Sequence, residues 1–170
     1  AFQEYHTAIR IDRNYAQPHN NLGNIYFNQG APDKARIEYE EAVRIQPDYA
    51  PAYNGLGNIY NNAGDLDRAM QEFKKALSYD SIYIPALISL GVNYAKRGQL
   101  DDAVVEFKKA LALDTNQLQG HYNLGLAYEK LGKHREAIDE YNTVIRLDPD
   151  NHNTHYALGS LYQGIGLTDE

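Results

Sequence analysis

Six asparagines carry the most regular chemistry in this chain. They form two groups with steps of four residues, and the second group follows the first by 34 residues: Asn20, Asn24, Asn28, Asn54, Asn58 and Asn62. Steps of four place each group on one face of a helix. An Asn amide offers two donors and an acceptor, which match the backbone N–H and C=O of an extended peptide. The spacing favours a peptide-binding surface, with helix capping and repeat architecture as the alternative explanation.

Two histidines raise the question of metal chemistry. His152 and His155 lie three residues apart beside Asp150, a spacing that can hold a metal on a helix. His155 recurs at the same step as His19 and His121, however, which favours a structural histidine. The chain has no cysteine, and nothing in it resembles a phosphate loop, a nucleophile with its base or a paired-carboxylate pocket. We therefore predict no enzyme activity, no catalytic residue, no metal and no cofactor.

The elements that position these residues repeat every 34 residues. A Leu-Gly pair, a tyrosine, a glycine, an alanine and an aromatic residue each recur five times without an insertion. The Leu-Gly pairs begin at Leu22, Leu56, Leu90, Leu124 and Leu158. A fixed period of this size marks a repeat protein whose units stack and bury a shared core.

The repeated motif points to a known family. It reads small-x2-aromatic-x2-Leu-Gly-x2-Tyr, then Gly, Ala, an aromatic residue and a helix-ending Pro, and it resembles the tetratricopeptide repeat over the whole chain. The resemblance implies an all-α fold, a right-handed α-solenoid of antiparallel helix pairs. Residues 1–170 then form a single array: a second helix at 1–15, full repeats at 16–49, 50–83, 84–117 and 118–151, and a first helix at 152–170. The position that is Ala42 and Ala76 in two of the repeats departs from a small residue at Val144.

One repeat illustrates the expected helix pair. Apolar and aromatic residues predict a first helix from Ala52 to about Ala63 and a second from Asp67 to about Tyr79. Gly64 separates them, since glycine readily takes the positive φ of a helix C-cap. The Gly of each Leu-Gly pair lies mid-helix at a cost of about 0.5–1 kcal/mol relative to Ala. We therefore expect a neighbouring helix close to each. The motif residues expected to be buried are Leu22, Tyr26, Leu56, Tyr60, Leu90, Tyr94, Leu124 and Tyr128.

The resemblance also implies where a ligand binds. In this family the first helix of each repeat lines the concave groove, with repeat positions 2, 5, 9, 12 and 13 facing the ligand. The peptide-binding residues predicted on that basis are Asn20, Asn24, Asn54, Asn58, Asn62, Ile88, Tyr122, Leu126 and Tyr156. Asn20 and Asn54 are the strongest individual candidates, because mid-helix Asn is a mediocre helix former. Packing against adjacent helices is the alternative for the apolar members.

Chaperone-binding members of the family hold a C-terminal carboxylate with a clamp that contains Lys and Arg. Two alignments of that clamp are possible here. The first gives Asn20, Asn24, Gly55, Pro85 and Ser89, and the second gives Asn54, Asn58, Ser89, Gln119 and Asn123. Neither contains a cation, so capture of a chaperone tail is disfavoured.

Composition limits the class of partner. The formal charge of −7 and the pI near 5.3 argue against a nucleic-acid partner, and no apolar run approaches the ~20 residues that span a bilayer.

The predicted function is a non-catalytic protein–protein interaction scaffold that binds an extended or helical peptide segment in its groove. The alternatives are the substrate-recognition array of a larger enzyme such as a glycosyltransferase, or a self-assembling structural scaffold. The absence of cysteine suits cytoplasm and periplasm, of which we favour the cytoplasm.

The register of the repeats suggests self-association. The chain begins with a second helix and ends with a first helix, so each terminal helix is expected to expose an apolar face. The residues predicted to take part are Phe2, Tyr5, Ile9 and Tyr162. A first helix of one copy docking on the last helix of another is a head-to-tail contact.

Overall fold

The computed structural model describes residues 2–11 and 14–166, without the side chains of Phe2, His6 and Arg10. Within those ranges the protein is all-helical, with ten helices in sequential pairs. In chain order they are α1 Phe2–Ile11, α2 Ala16–Asn28, α3 Pro32–Ile45, α4 Ala50–Asn62, α5 Leu66–Tyr79, α6 Ile84–Lys96, α7 Leu100–Leu113, α8 Leu118–Lys130, α9 His134–Leu147 and α10 His152–Gly164. The predicted helices of the second full repeat are confirmed as α4 and α5, with starts one or two residues earlier.

The contacts between helices group the chain into two compact units. Unit 1 is Ala1–Asn93 and unit 2 is Tyr94–Glu170, and the boundary lies inside α6. In unit 1, α2 packs on α3 and α4 packs on α5, while α3 packs on α4 and joins the two repeats. In unit 2, α8 packs on both α7 and α9, and α9 packs on α10. Each unit is therefore built from the same helix pair.

Glycines at the turns separate the two helices of each pair. They recur 34 residues apart with positive φ from 72° to 82°: Gly30, Gly64, Gly98 and Gly132 lie between two helices, and Gly166 follows α10. Residues with a side chain pay about 1–2 kcal/mol in this left-handed region, which glycine avoids. Asp65 then caps α5, because its side chain accepts a hydrogen bond from the Arg68 backbone N–H. The predicted turn at Gly64 is confirmed.

Three glycines of the Leu-Gly pairs lie against aromatic rings of a neighbouring helix, as the predicted close approach requires, whereas a Cβ built on Gly159 meets nothing within 4 Å, so the prediction is wrong there. A Cβ built on Gly57 would be 2.4 Å from Cε1 of Phe73, far inside van der Waals contact. The same construction on Gly23 and Gly125 gives 2.5 Å to the Tyr39 ring and 2.6 Å to the Tyr141 ring. These rings are almost completely buried in the second helices. The absence of a side chain at each of these three glycines is therefore what lets the two helices of a repeat approach.

The expected burial of the motif residues needs one correction. Leu22, Leu56, Leu90, Leu124 and Tyr128 are buried, but Tyr26, Tyr60 and Tyr94 are only half-buried. The Lys34 ammonium lies 5.7 Å from the centre of the Tyr26 ring, and the Arg68 guanidinium lies 4.8 Å from that of Tyr60. Tyrosine joins an apolar ring to a polar tip and can stack with a cation. These two tyrosines therefore border the core.

Candidate functional site

Two asparagines of unit 1 present their amide groups in a defined orientation. Asn24 on α2 is exposed, and its Oδ1 accepts a hydrogen bond of 2.8 Å from the Tyr39 hydroxyl. Asn58 on α4 is half-buried, and its Oδ1 accepts one of 3.2 Å from Ser89 Oγ. The Nδ2 group of each amide donates to none of the described residues, so its two N–H donors remain available. Asn24 and Asn58 can therefore donate to the carbonyl oxygens of a bound chain.

The Tyr39 hydroxyl is a fixed part of this arrangement. The side chain is 1% exposed, and burial raises the pKa of its phenol well above the ordinary value of 10. Tyr39 therefore stays protonated at neutral pH and keeps donating to Asn24. The rigid aromatic core of the repeat thus positions an exposed amide.

Asn20 and Asn54 occupy a different environment from the one that the sequence suggested. Only 6% of Asn20 and 8% of Asn54 is exposed, and Oδ1 of each is buried without a hydrogen-bond partner among the described residues. Ile88, one repeat further on, is 5% exposed. These three predicted contact residues offer a ligand little surface. Asn24 and Asn58 replace Asn20 and Asn54 as the leading candidates, whereas Asn62 is exposed at the end of α4, as its role requires.

A buried amide pair in unit 1 was missed by the sequence analysis. Asn93 is fully buried, and its Nδ2 donates to Asn61 Oδ1 at 3.3 Å and to the Leu66 backbone oxygen at 3.0 Å. These bonds tie α6 to α4 and to the start of α5. The sequence did contain a sign of this pair: Asn93 is polar at a repeat position that is Ile25 and Ile59 in the two earlier repeats.

In unit 2 the structure brings one predicted residue, Tyr122, into a surface cleft. The cleft has a volume of about 240 Å³ and lies where α8, the end of α9 and the start of α10 meet. Its lining residues are Leu118, Gln119, Tyr122, Val144, Asn151 and Asn153. Tyr122 is half-buried, with its ring centre 6.0 Å from that of Tyr141. Leu126 is half-buried further along α8, and Tyr156 on α10 is 79% exposed, outside the cleft lining.

Comparison with known families agrees with this helical register. A tetratricopeptide repeat model matches residues 14–81, a TPR repeat model matches 91–132, and a second tetratricopeptide repeat model matches 119–151. Together the matches cover most of the chain. It belongs to the tetratricopeptide repeat family.

Solved structures share the tetratricopeptide solenoid fold. YrrB, described as a TPR protein with an unusual peptide-binding site, is 24% identical with a TM-score of 0.72, over 99% of this chain and 87% of its own. MamA is 26% identical with a TM-score of 0.73, over 89% and 83%. The first TPR of Spaghetti (RPAP3), bound to the HSP90 peptide SRMEEVD, is 23% identical with a TM-score of 0.67, over 69% and 94%. No match was found among curated proteins.

The tetratricopeptide register explains the recurring histidines. At the position where the family has Trp, His121 Nε2 lies 3.0 Å from the Thr115 backbone oxygen and His155 Nε2 lies 2.8 Å from that of Pro149. Tyr53 replaces histidine in the second full repeat, and its hydroxyl donates to the Pro47 oxygen at 2.8 Å. The side chain at this position thus satisfies a carbonyl at the end of the preceding repeat. His155 makes the contact expected of a structural histidine, and its role stays a prediction.

The described residues contain no group of three or more His, Cys, Asp or Glu side chains that could hold a metal ion. None of the helices in these ranges is long and apolar enough to cross a membrane.

The residues predicted for self-association lie on the first and last tetratricopeptide helices. Tyr5 and Ile9 on α1 and Tyr162 on α10 are half-buried, whereas the side chain of Phe2 lies outside the described residues. A Cβ built on Gly159 of α10 meets nothing within 4 Å, unlike the Leu-Gly glycines of the three repeats described above. Head-to-tail self-association through these faces stays a prediction.

Proposed function

We propose that this tetratricopeptide array is a non-catalytic scaffold that binds an extended or helical segment of a partner protein along the first helices of its repeats. The observation that carries the proposal is the orientation of Asn24 and Asn58. Both amides have their oxygen bonded within the array and their Nδ2 group available, on α2 and α4, which contact one another in unit 1. Two donors on adjacent helices suit the backbone carbonyls of one bound chain.

The character of the surface supports a peptide as the ligand. The predicted contact residues in both units are amides, aliphatic side chains and tyrosines, and none of them is charged. Amides bind the backbone of almost any sequence, while exposed tyrosine supplies contact area with a polar tip. Among the similar structures, YrrB has a peptide-binding site and the RPAP3 domain is bound to a peptide. A peptide ligand for this chain is consistent with both.

The histidines support the non-catalytic part of the proposal. His121 and His155 bond to backbone oxygens of the preceding turn, and His19 Nδ1 lies 2.7 Å from Glu38 Oε2 on α3. Each has a structural partner that explains its presence. A general acid or base must reach a bound substrate. The nitrogens of these three rings instead contact a carboxylate or a backbone oxygen of the same array.

The test is selection of binding peptides from a random display library, followed by affinity measurement on variants. The double variant Asn24→Ala, Asn58→Ala loses two donors, each contributing about 0.5–1.5 kcal/mol net, so we expect about tenfold weaker binding of the selected peptides. The matched control is Gln71→Ala, which removes an exposed amide from the second helix α5. Circular dichroism checks that each variant is folded. Equal affinities for the double variant and the control would contradict the proposal.

A further inference from the structure

We propose that the cleft of unit 2 binds one large apolar side chain, of the Phe or Leu class, from a partner segment that carries Lys or Arg beside it. This inference rests on the proposed function and names the chemistry of part of the ligand. Two residues make the cleft differ from the corresponding site in unit 1. Tyr122 stands where Asn54 does, and Val144 stands where Ala76 does.

The volume and floor of the cleft define the anchor side chain. A cavity of roughly 150 Å³ lined by aliphatic and aromatic groups holds a benzene molecule, and this cleft measures about 240 Å³. The apolar surface that a side chain can reach belongs to Leu118 and Tyr122, which are half-buried, because Val144 is 1% exposed and offers almost none. No Lys, Arg, His, Asp or Glu is among the lining residues. A phenyl ring or a branched aliphatic chain fits this space, whereas a charged group there would lose its hydration without a partner.

The rim of the cleft supplies groups for the backbone beside that anchor. Gln119 and Asn153 occupy the same position in consecutive repeats, are exposed, and have no hydrogen-bond partner among the described residues. In unit 1 the equivalent positions on α4 and α6 are Pro51 and Pro85, which offer no side-chain donor. Amides on both sides of an apolar floor suit an extended chain that inserts one side chain and leaves its peptide groups at the rim.

A third lining residue, Asn151, forms a rigid part of the rim. Its Oδ1 accepts from the Thr154 backbone N–H at 3.1 Å and from Thr154 Oγ1 at 2.8 Å. Its Nδ2 donates to Asp148 Oδ2 at 3.0 Å. Asn151 is therefore committed to capping α10 and holds a carboxylate next to the cleft.

Negative charge near the cleft indicates which residue of the ligand lies next to the inserted apolar side chain. Asp148 and Asp150 lie in the turn before α10, and Asp114 lies in the turn before α8. Hydrogen bonds from the Asn116 backbone N–H and the Gln117 side chain hold the pKa of Asp114 below its usual range, so it is ionised at neutral pH. The chain as a whole carries a formal charge of −7. The Asp148 carboxylate, which is bonded to the lining residue Asn151, and the total charge complement a cation in the ligand and oppose an acidic segment.

Capped dipeptides test the inference without a known partner. The probes are acetyl-Phe-Arg-amide, acetyl-Ala-Arg-amide and acetyl-Phe-Glu-amide, titrated into the 15N-labelled protein and followed by NMR. We expect saturable shifts of the Tyr122, Asn151 and Asn153 backbone amides with the first probe. The Ala-Arg probe, which lacks the phenyl ring, should bind more weakly than the Phe-Arg probe, by about tenfold or more. Exchange of Arg for Glu should weaken it several-fold, with the difference shrinking in salt.

Variants locate the site and separate it from the amides of unit 1. Gln119→Ala, Asn153→Ala should weaken the Phe-Arg probe about tenfold, while Gln163→Ala, an exposed amide at the far end of α10, should leave it unchanged. Equal affinity for the Phe and Ala probes, or no saturable shift at the cleft, would overturn the inference. Shifts at these amides that grow with protein concentration alone would assign the cleft to a second copy and also overturn it. Display peptides that still depend on Asn24 and Asn58 would leave the proposed function standing.

Discussion

At the residue scale, the contact between Tyr39 and Asn24 joins the core to the proposed binding surface. The sequence indicated an amide at position 24 and an aromatic residue at position 39, but not that one hydroxyl would fix the direction of the amide. Asn20 and Asn54 were predicted as the strongest contact candidates, because asparagine is a mediocre helix former in the middle of a helix. Their burial depends on how closely α2, α4 and their neighbours approach, which a single helix pattern does not contain.

The raised pKa of Tyr39 predicts a dependence of stability on alkaline pH. Its folded pKa lies above the unfolded value near 10, so its contribution is complete below pH 10 and is lost as the pH rises through the folded pKa. Tyr39→Phe should therefore flatten part of the fall in melting temperature above pH 10. Phe73 and Phe107 show that the site accepts a phenyl ring. At pH 8 the variant should lose about 0.5–1.5 kcal/mol for one hydrogen bond.

The control for this measurement is Tyr156→Phe, since Tyr156 is 79% exposed. Removing this solvent-exposed hydroxyl should leave the melting temperature at pH 8 unchanged. Parallel pH profiles for Tyr39→Phe and the unmodified chain would show that the buried phenol does not contribute.

At the element scale, the helix pair is where sequence prediction succeeded best. In the second full repeat the pattern located both helices to within two residues of α4 and α5 and placed the turn at Gly64, because glycine at a positive φ and an alanine-lined second helix recur in register. The close approach at Gly23, Gly57 and Gly125 also followed from the cost of mid-helix glycine, whereas the same reasoning was wrong at Gly159. The half-buried state of Tyr26 and Tyr60 did not follow, since the exposed part of each ring depends on how the neighbouring helices pack, which the repeat pattern does not contain.

Gly57 and Gly159 occupy equivalent repeat positions, yet replacement by Ala should change the stability of the protein in opposite directions at the two. Gly57→Ala should destabilise by about 1–3 kcal/mol, because its Cβ would overlap the buried Phe73 ring at 2.4 Å. Gly159→Ala should stabilise by about 0.5–1 kcal/mol, since its Cβ meets nothing within 4 Å and alanine is the better helix former. Urea unfolding followed by circular dichroism measures both. Stabilisation of the protein by Gly57→Ala would contradict the packing at this pair. Replacing the buried Gly91 by Leu should likewise overpack its helix contact and cost about 1–3 kcal/mol.

At the scale of the whole molecule, charge and partner chemistry are linked. The formal charge of −7 belongs to the whole chain, whereas the predicted peptide contacts are uncharged. Raising the salt from low to molar concentration should therefore weaken a selected peptide only several-fold, through screening of long-range attraction. Isothermal titration across a salt series measures this. Complete loss of binding at high salt would show that ion pairs, not amides and apolar side chains, hold the ligand.

The sequence could predict the family and the repeats at this scale, but not the cleft of unit 2. That cleft needs Tyr122 on α8, Val144 on α9 and Asn153 on α10 to meet in space. Val144 stood out as a departure from small residues, yet only the arrangement of the three helices shows what its larger side chain borders.

The central claim is that the amides of Asn24 and Asn58 bind the backbone of a partner segment. Side-chain NH2 resonances of asparagine report this directly in NMR spectra of the 15N-labelled protein mixed with a selected peptide. We expect the Nδ2 signals of Asn24 and Asn58 to shift saturably and to exchange more slowly with water, while the side-chain signal of Gln71 on α5 stays in place. Saturable binding that left both asparagine signals unmoved, or that shifted Gln71 instead, would contradict the account.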